Sequence, residues 1–542
     1  MKNIGVVESS EKNIVCFITE ERIARGSFVF YNDSELNRKI LCRIKESETI
    51  EKIPTEFLTA SFESREAAKR VGFDLEDIGK FRVHAKIVGY FDEELNEFIN
   101  PKVSPISGTP VFEADSSILS QINKKKDGYD NSATIGKIIN SDTKVVLDVS
   151  DIVSTHLSVL ASTGSGKSYT IGVLLEEMLK AKNGASAVVL DPHGEYRTLA
   201  DIMDKQKLNE TGVLEDFTYS DGTLPRVEVF DDEDIKVKVN DLTFNELVSI
   251  IDDGNMSSKM RYYLRKTYNN VRGKEFTKEE LLDEVMGLEN EEGEKLIKSP
   301  QHSSSIEGIK WRYSKNILNK KFFQNYTKLN LDELYQPRKI SVLDLSDIGE
   351  LDQQLIASVL LRKTFKARKK TVKNQVKSNE QGLPYPVFTV IEEGHRFTPA
   401  SGEAKSKNIL KKVLSEGRKF GVGVCLVSQR PSKLDSDALS QCMTQITMRL
   451  INPVDQNHVK ESLESFSKEL VDMLPGLSTG EALISGSAIN TAVSANIREK
   501  ITRHGGAGID DPSSLWKADL EDEEPDIEKT EVEEDNQTDL FS

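Results

Sequence analysis

The central part of the chain alternates between short apolar runs and longer segments with helical spacing of apolar residues. Continuous apolar runs of this length are typical of strands that are buried on both faces of a mostly parallel sheet. Between them, segments such as SYTIGVLLEEMLKA and LIASVLLRKTFKAR repeat apolar residues every three or four positions, as helices do. The alternation predicts a doubly wound α/β domain over residues 146–510. Its strands are expected at LSVLA, ASAVVLD, RVEVF, KISVLDL, PVFTVI, VGVCLV and QITMRLI.

The first 110 residues carry a different pattern, in which short runs rich in Val, Ile and Phe are separated by polar or glycine-bearing turns. Several short strands at such spacing predict a small β-barrel over residues 1–110, interrupted by one helical insertion around residues 55–70. Residues 111–145 contain the polar segment KKKDGYDNSAT and are interpreted as a linker. The runs that predict barrel strands are NIVCFI, SFVFY, KILCRI and FRVHAKIVGYF.

Residues 240–335 interrupt the alternation of strands and helices with several consecutive helical patterns. Thr243 followed by Glu246 matches the capping box with which many helices begin. We therefore expect a helical subdomain that is inserted into the α/β core. The helical patterns lie in LTFNELVSIID, SSKMRYYLRKTYNNV, TKEELLDEVMG and SIEGIKWRYSKNILNKKFF.

Charge is distributed unevenly along the 542 residues. The formal net charge of -17 by itself argues against nucleic-acid binding, because DNA-binding domains are usually basic. Residues 518–542, however, hold twelve Asp or Glu and one Lys, and so account for -11 of that charge. We interpret residues 511–542 as an acidic disordered tail. The remaining -6 on residues 1–517 neither favours nor excludes DNA as a ligand.

Other features of the composition restrict the class of protein. No apolar run approaches the ~18 residues that a membrane helix needs. The first residues, MKNIGVVESSEKN, lack the basic and apolar regions of a secretion signal. The four cysteines stand singly, which fits neither a disulfide framework nor a cysteine zinc site. We expect a soluble cytoplasmic protein that has no membrane contact.

The clearest chemical motif is ASTGSGKS, residues 161–168, which follows the apolar run LSVL and precedes a helical pattern. This is the strand–loop–helix context of a phosphate-binding P-loop, although Ala161 replaces the first glycine of the consensus. Glycines let backbone N–H groups of the loop point at phosphate oxygens. Lys167 is expected to reach the β- and γ-phosphates, and Ser168 to ligate Mg²⁺. The residues of this segment predicted to bind ATP are Thr163, Gly164, Ser165, Gly166, Lys167, Ser168 and Tyr169.

A second motif, VFTVIEEGHRF, ends an apolar strand in two adjacent carboxylates, Glu392 and Glu393. Adjacent residues leave a strand in different directions, so the two side chains can serve different roles. In P-loop NTPases the first acidic residue binds Mg²⁺, and a second orients and deprotonates the attacking water. The first position is more often Asp, which leaves open whether Glu392 ligates Mg²⁺ directly.

Three further residues lie beside strands of the predicted sheet. Asp191 ends the strand after the P-loop helix, near the expected phosphates. Gln429 follows the strand VGVCLV and could contact the γ-phosphate or the water; a polar turn is the alternative. Arg418 lies just before the same strand. It could neutralise charge on a neighbouring subunit's γ-phosphate, or be only a basic residue at a helix C-terminus.

Taken together, these segments resemble the HerA group of hexameric ATPases, which are relatives of FtsK and of conjugation motors. The resemblance covers about residues 1–510. Its most specific part is the stretch 415–456, because generic P-loop proteins lack it. The matching segments are HLSVLASTGSGKS, LDPHGEY, VIEEGHRFTP, SEGRKFGVGVCLVSQRPSKLDSDALSQCMTQITMRLINPVDQ and ITRHGG.

The resemblance implies a RecA-like core that assembles as a hexameric ring with ATP sites between subunits. ATP and Mg²⁺ are the cofactors that it implies. Glu393 matches the catalytic glutamate, and Glu392 takes the position usually held by Asp. Arg418 matches the arginine that acts in trans, and Gln429 matches a sensor-like glutamine. The first 110 residues look like the HAS barrel that precedes the motor in this family.

The resemblance also implies partners. HerA-type motors are associated with DNA translocation or helicase activity, so we expect double-stranded DNA in the central pore. The lysine-rich segment 401–412 could face that pore, or could be a solvated helix face. Such motors act with a partner nuclease such as NurA, or with NAD hydrolases or further nucleases in anti-phage defence, and the N-terminal barrel is the expected docking surface. The alternative is an oligomeric scaffold that regulates an effector and uses ATP for assembly or sensing.

Overall fold

The computed structural model of the chain describes residues 2–50, 80–252, 254–290, 293–327, 329–378, 380–463 and 466–505. The helical insertion expected around residues 55–70 and the acidic tail expected at residues 511–542 lie outside these residues. The part up to Gly505 forms one compact unit. No helix within the described ranges is long and apolar enough to cross a membrane.

The N-terminal region is a closed β-barrel, as predicted. Its strands are β1 (Asn3–Glu11), β2 (Ile14–Thr19), β3 (Phe28–Asp33), β4 (Arg38–Thr49), β5 (Phe81–Asp92), β6 (Glu97–Ile99) and β7 (Pro110–Glu113). Strands β2, β1, β7, β3, β4 and β5 pair in that order, and the pairing of β2 with β5 closes the ring. Alternate residues such as Val83, Ala85 and Ile87 of β5 point into the barrel core, because side chains alternate along a strand.

The interval 111–145 differs from the predicted linker. It begins within β7 and continues through α1 (Ser116–Leu119), β8 (Ser132–Ile138) and the first two residues of β9 (Lys144–Asp148). Strands β8 and β9 form one edge of the large central sheet. Their buried side chains include Ala133, Ile135 and Val145. These strands are short and lie next to polar turns, and this is why the sequence pattern resembles a linker.

The first half of the α/β core follows directly. The seven apolar runs predicted for the whole core all correspond to strands, three of them in this half. Residues of β11 alternate between the hydrophobic layers on the two faces of the sheet. The elements of this half are α2 (Val149–Thr155), β10 (Leu157–Leu160), α3 (Lys167–Leu179), β11 (Ser186–Asp191), α4 (Lys205–Glu210), α5 (Leu214–Phe217) and β12 (Arg226–Phe230).

The predicted helical insertion is confirmed. Thr243 caps the first of its α-helices, and its reciprocal bonds with Glu246 complete the predicted capping box. A short two-stranded pairing of Val237–Lys238 with Phe323–Gln324 joins the two ends of the insertion. Its elements are β13 (Val237–Lys238), α6 (Phe244–Ile251), α7 (Ser258–Val271), α8 (Lys278–Met286), α9 (Ser303–Tyr313), β14 (Phe323–Gln324) and α10 (Leu331–Leu334).

The second half of the core returns to strands and helices. Its elements are β15 (Lys339–Asp344), α11 (Glu350–Val372), β16 (Val387–Ile391), α12 (Gly394–Phe397), α13 (Lys407–Glu416), β17 (Val422–Ser428), α14 (Ser436–Ser440), β18 (Thr444–Thr447), α15 (Pro453–Ser462), α16 (Lys468–Val471), β19 (Glu481–Gly486) and β20 (Val493–Ile497).

The central sheet has the strand order β12-β15-β11-β16-β17-β10-β18-β19-β20-β8-β9. The strands from β12 to β18 are parallel, and those from β18 to β9 are antiparallel. Strand β10, which leads into the P-loop, therefore has β17 between itself and β16, the strand that ends in the two glutamates. The carboxyl ends of all three meet at one edge of the sheet, where open α/β folds bind ligands. This confirms a RecA-like α/β core with an N-terminal barrel and an inserted helical subdomain.

The segment after β20 is fastened to the P-loop helix α3. Arg498 donates to Glu176 and Glu177, at 3.0 Å in each case, and both carboxylates are fully buried. Glu176 also accepts the backbone N–H groups of Ile501 and Thr502 at 2.9 and 2.8 Å. A buried carboxylate needs such partners, because an uncompensated charge is costly inside a protein. Residues 501–502, the start of the ITRHGG segment, are thereby held against the helix that begins at the nucleotide site.

Candidate nucleotide-binding site

The P-loop turns between β10 and α3 by means of two glycines in the left-handed region. Gly164 has φ 75° and Gly166 has φ 96°, a conformation that costs glycine little because it has no Cβ. Ala161 is fully buried and has no positive φ, so alanine is compatible with the position of the missing consensus glycine. The loop is braced by the carbonyl of Arg449, which accepts the N–H of Ser162 at 2.9 Å.

Lys167 lies between the two strand-end carboxylates. Its ammonium forms an ion pair with Glu392 and is 3.7 Å from Glu393. All three side chains are buried. Burial lowers the pKa of Lys167, but the two carboxylates outweigh burial and hold that pKa above its ordinary value. The predicted phosphate-binding cation is thus paired with the predicted catalytic acids.

The adjacent glutamates point to different partners, as the strand geometry predicts. Glu392 contacts Lys167 and accepts the hydroxyl of Tyr196. Glu393 has a left-handed backbone, with φ 50° and ψ 45°. Non-glycine residues adopt that conformation rarely, and it is found most often at functional sites. It turns the Glu393 carboxylate toward β17.

Gln429 bridges the P-loop and Glu393. Its amide nitrogen donates to Glu393 at 2.7 Å, and its amide oxygen accepts the Thr163 hydroxyl at 2.8 Å. A glutamine can do both because its amide carries donors and an acceptor on one rigid group. A shift of the P-loop at Thr163 therefore moves the group that holds Glu393.

Asp191 shapes the turn that follows β11. Its carboxylate accepts the backbone N–H groups of Tyr196 at 2.9 Å and of His193 at 3.2 Å. Burial, together with the nearby charge of Glu392, raises the pKa of Asp191 to about 6 despite these bonds. The turn directs Glu195 to the hydroxyl of Ser168 and the Tyr196 phenol to Glu392. Asp191 thus positions this side of the site through its own turn.

Sequence reasoning missed three residues at the site: Glu195, Tyr196 and His395. The first two belong to LDPHGEY, where Glu195 was visible only as part of a turn. His395 Nδ1 lies 3.2 Å from both Glu393 and the Ser428 hydroxyl, and burial lowers its pKa. The sequence feature that could have identified His395 as a site residue is its position two residues after Glu393. These contacts depend on the course of two turns, which residue spacing does not specify.

Arg418 is the predicted site residue that the structure does not bring to the site. It is exposed, in the 3₁₀ turn Gly417–Phe420 before β17. It therefore lies at the edge of the sheet opposite to its own P-loop. Among the described residues, its side chain has no hydrogen-bonding or ionic partner. Any role of Arg418 in hydrolysis requires the site of another copy.

The lysines of segment 401–412 are largely engaged within the chain. Lys407 lies 3.4 Å from Asp435, and Lys411 lies 3.2 Å from Asp435 and 2.7 Å from Asp437. Burial lowers the pKa of Lys405. These contacts favour the alternative of a solvated helix face, in which the lysines pair with Asp435 and Asp437 of the same chain.

The residues present at the site fit Mg²⁺ as a partner of ATP. The Ser168 hydroxyl, which contacts Glu195, and the Glu392 carboxylate, which contacts Lys167, offer the oxygen ligands that Mg²⁺ prefers. Hydrolysis of a phosphoanhydride bond is the chemistry that this combination of P-loop, oxygen ligands and carboxylate base supports.

Known proteins are similar to this chain in sequence over most of its length. Residues 133–364 match the family model described as the helicase HerA central domain. The DNA double-strand break repair helicase HerA of Pyrococcus furiosus is 30% identical over 498 residues, 84% of each chain. A probable helicase of Methanocaldococcus jannaschii is 28% identical over 519 residues, 93% of this chain and 92% of the relative. Among solved structures, VirB4 of Thermoanaerobacter pseudethanolicus is 12% identical, with a TM-score of 0.47 over 69% of this chain and 97% of its own.

Proposed function

The chain belongs to the HerA helicase family and is an ATP-hydrolysing enzyme, and from that premise we propose that it is the motor subunit of a DNA translocase or helicase. The observation that carries the proposal is the cluster of Lys167, Glu392, Glu393 and Gln429 at the carboxyl ends of three neighbouring strands. A motor needs ATP hydrolysis to be coupled to movement. The link from Thr163 through Gln429 to Glu393 supplies such a coupling within one subunit.

In the proposed reaction, ATP displaces the internal ion pair. The phosphates draw Lys167 away from Glu392 and Glu393, which frees both carboxylates. Ser168 and Glu392 are the residues that would hold Mg²⁺, which supplies positive charge at the phosphate oxygens when bound. Glu393 orients and deprotonates the water that attacks the γ-phosphate in line, and Gln429 holds Glu393 in place.

The proposed assembly is a homo-hexameric ring with double-stranded DNA in its central pore. The position of Arg418 supports a site shared between subunits, because this arginine is exposed and distant from its own P-loop. In such a ring Arg418 neutralises charge at the γ-phosphate of the neighbouring subunit. The relative from Pyrococcus furiosus is named a DNA double-strand break repair helicase, which supports DNA as the ligand.

The proposed partner is a nuclease or an NAD-hydrolase effector that docks on the N-terminal barrel. The sequence shows a P-loop motor and no nuclease motif, so DNA cutting is assigned to that partner. The barrel is a small closed sheet with its own core, and its outer surface is the proposed docking site. The proposed settings are DNA end processing or anti-phage defence.

The test is ATP turnover with and without double-stranded DNA. We expect DNA to stimulate turnover several-fold in the wild type and to have no effect in Glu393→Ala. Glu403→Ala, which removes an exposed glutamate nearby, is the matched control and should behave as the wild type. Turnover that is indifferent to DNA would instead support an ATP-dependent scaffold for the effector.

The shared site has its own test. Arg418→Ala and Lys167→Ala subunits are each expected to be inactive alone. Mixed rings should recover turnover, because a Lys167→Ala subunit can supply Arg418 to an intact P-loop in an Arg418→Ala neighbour. If mixtures that form hexamers never regain turnover, the trans role of Arg418 is wrong.

A further inference from the structure

The helical insertion carries an exposed tryptophan among basic residues. Helix α9 and the π-helical turn Ser314–Leu318 that follows it place Lys310, Trp311, Arg312 and Lys315 within six residues. We call these four residues the Trp311 surface. Trp311 is 55% exposed, whereas tryptophan is usually well buried in folded proteins. A single exposed apolar side chain is common on protein surfaces, so it is the cations around the indole that distinguish this surface.

Two of the cations lie close to the indole ring. The Lys315 ammonium is 4.9 Å from the ring centroid, and the Arg312 guanidinium carbon is 5.7 Å from it. Attraction between a cation and the electron-rich ring face holds each charge near the ring. Arg312 is also steered by the carbonyl of Gly308, to which it donates at 3.2 Å. The surface thus presents positive charge and an aromatic ring together.

The lysines of this surface differ from those of segment 401–412. Lys407 and Lys411 form ion pairs with Asp435, whereas the ammonium groups of Lys310 and Lys315 have no carboxylate partner in the described part of the chain. Helix α9 contains one carboxylate, Glu307, and no ion pair joins it to Lys310 or Lys315 in the described residues. Lys310 and Lys315 therefore carry positive charge that no carboxylate of the described residues pairs with.

We propose that the Trp311 surface binds single-stranded DNA, with Lys310 and Lys315 on the phosphates and the Trp311 indole stacked on a base. Basic grooves with aromatic side chains bind single strands in this way, since every base has a face to stack on. A duplex offers no free base face except at its ends, so the indole selects unpaired nucleotides. The inference rests on the proposed function in that it requires a chain that handles DNA.

Judged by charge alone, the acidic residues 518–542 of the same chain could also occupy the Trp311 surface. Those residues could pair with the cations, but they contain one aromatic side chain, Phe541, and otherwise offer the indole nothing to stack on. The exposed ring is therefore explained by nucleotides and not by the tail. Occupancy by the tail is one outcome of the experiment.

The chain has two tryptophans, which makes Trp311 its own probe. In a Trp516→Phe variant of the full chain, all tryptophan emission comes from Trp311. Titration with oligothymidylate should quench that emission, because a stacked base quenches an indole. Emission that single strands leave unchanged would overturn the proposal. A deletion of residues 518–542 that shifts Trp311 emission without DNA would assign the surface to the tail and would also overturn it.

Binding of a labelled oligothymidylate supplies the second measurement. Trp311→Ala should weaken binding roughly tenfold, the scale of one stacked base, and Trp311→Phe should restore part of it. Tyr326→Ala removes a comparably exposed aromatic of the same insertion and should leave binding unchanged. Equal loss in both variants would overturn the assignment to Trp311.

The salt dependence of oligothymidylate affinity tests the lysine–phosphate contacts separately from the stacking of Trp311. Each phosphate contact contributes about 0.7 to the slope of log affinity against log salt for a single strand, so Lys310→Ala with Lys315→Ala should lower the slope by about 1.4. Lys295→Ala with Lys298→Ala removes the same charge from exposed positions of the insertion and should not change it. An unchanged slope in the Lys310→Ala, Lys315→Ala double variant would contradict the assignment of these lysines to phosphates.

The experiments distinguish failure of the surface proposal from failure of the motor proposal. Trp311→Ala should retain ATP turnover stimulated by double-stranded DNA, because the duplex is assigned to the ring pore. If stimulation by duplex is absent in the wild type, the motor proposal fails while oligothymidylate binding still tests the Trp311 surface. If stimulation is present and oligothymidylate does not bind, only the surface proposal fails.

Discussion

Charged side chains serve opposite purposes at the nucleotide edge of the central sheet and on the Trp311 surface. At the sheet edge, Lys167 is buried and paired with Glu392 and Glu393. On the insertion, Lys310 and Lys315 are exposed and have no carboxylate partner in the described residues. In the first region charge organises the protein's own chain, and in the second it is available to an external polyanion.

The difference shows why net charge is a weak guide to ligands. A buried ion pair contributes nothing to the outward field, although it can set the reactivity of a site. A few exposed cations without counter-charges attract phosphates even in an acidic protein. The predictions below test the paired side of this contrast, beginning with the largest effect.

Glu393→Gln should lower ATP turnover about 10³-fold while ATP binding persists, because the amide cannot accept the proton of the attacking water. Turnover and nucleotide affinity are the measurements. Glu403→Gln, at an exposed position, is the control. A variant that keeps a tenth of wild-type turnover would show that Glu393 is not the base.

Arg498→Ala should lower the free energy of unfolding by about 3 kcal/mol, because it leaves Glu176 and Glu177 as buried carboxylates with fewer partners. Arg503→Ala is the matched control, since that arginine also forms two 3.0 Å contacts with one carboxylate, Asp201, but its side chain is 74% exposed. The control should change stability by less than ~1 kcal/mol. The measurement is thermal or denaturant unfolding. Equal losses of stability in Arg498→Ala and Arg503→Ala would show that burial of the carboxylates does not set the size of the effect.

Gln429→Ala should reduce ATP turnover roughly tenfold, because Glu393 loses its 2.7 Å hydrogen bond and is less well positioned. Thr163→Val should have a smaller effect, since Gln429 can still contact Glu393. The two changes act on one connected network, so the double variant should lose less than the sum of the single losses. Strict additivity would mean that Thr163 and Gln429 act separately.

Lys411→Ala should have the smallest effect, less than ~1 kcal/mol on stability, because it removes a partly exposed contact with Asp435 and Asp437. It should also leave DNA-stimulated turnover unchanged. Loss of that stimulation with normal folding would show that segment 401–412 contacts DNA despite its internal ion pairs.

Much of the fold was predictable because it depends on local patterns. Seven apolar runs predicted the parallel strands, the glycines of ASTGSGKS predicted the P-loop, and Thr243 with Glu246 predicted a helix start. The predicted linker at 111–145 failed because β8 and β9 become buried only by pairing beside β20, a strand more than 350 residues further along the chain.

The sequence by itself determined which chemistry the chain carries: a phosphate-binding loop, two strand-end carboxylates and a glutamine after the next strand. The tertiary structure alone decided how these groups meet. It placed β17 between β10 and β16, linked Thr163 to Glu393 through Gln429, and kept Arg418 at the far edge. Residue type and spacing govern local conformation, whereas contacts across hundreds of residues follow from burying both faces of one sheet.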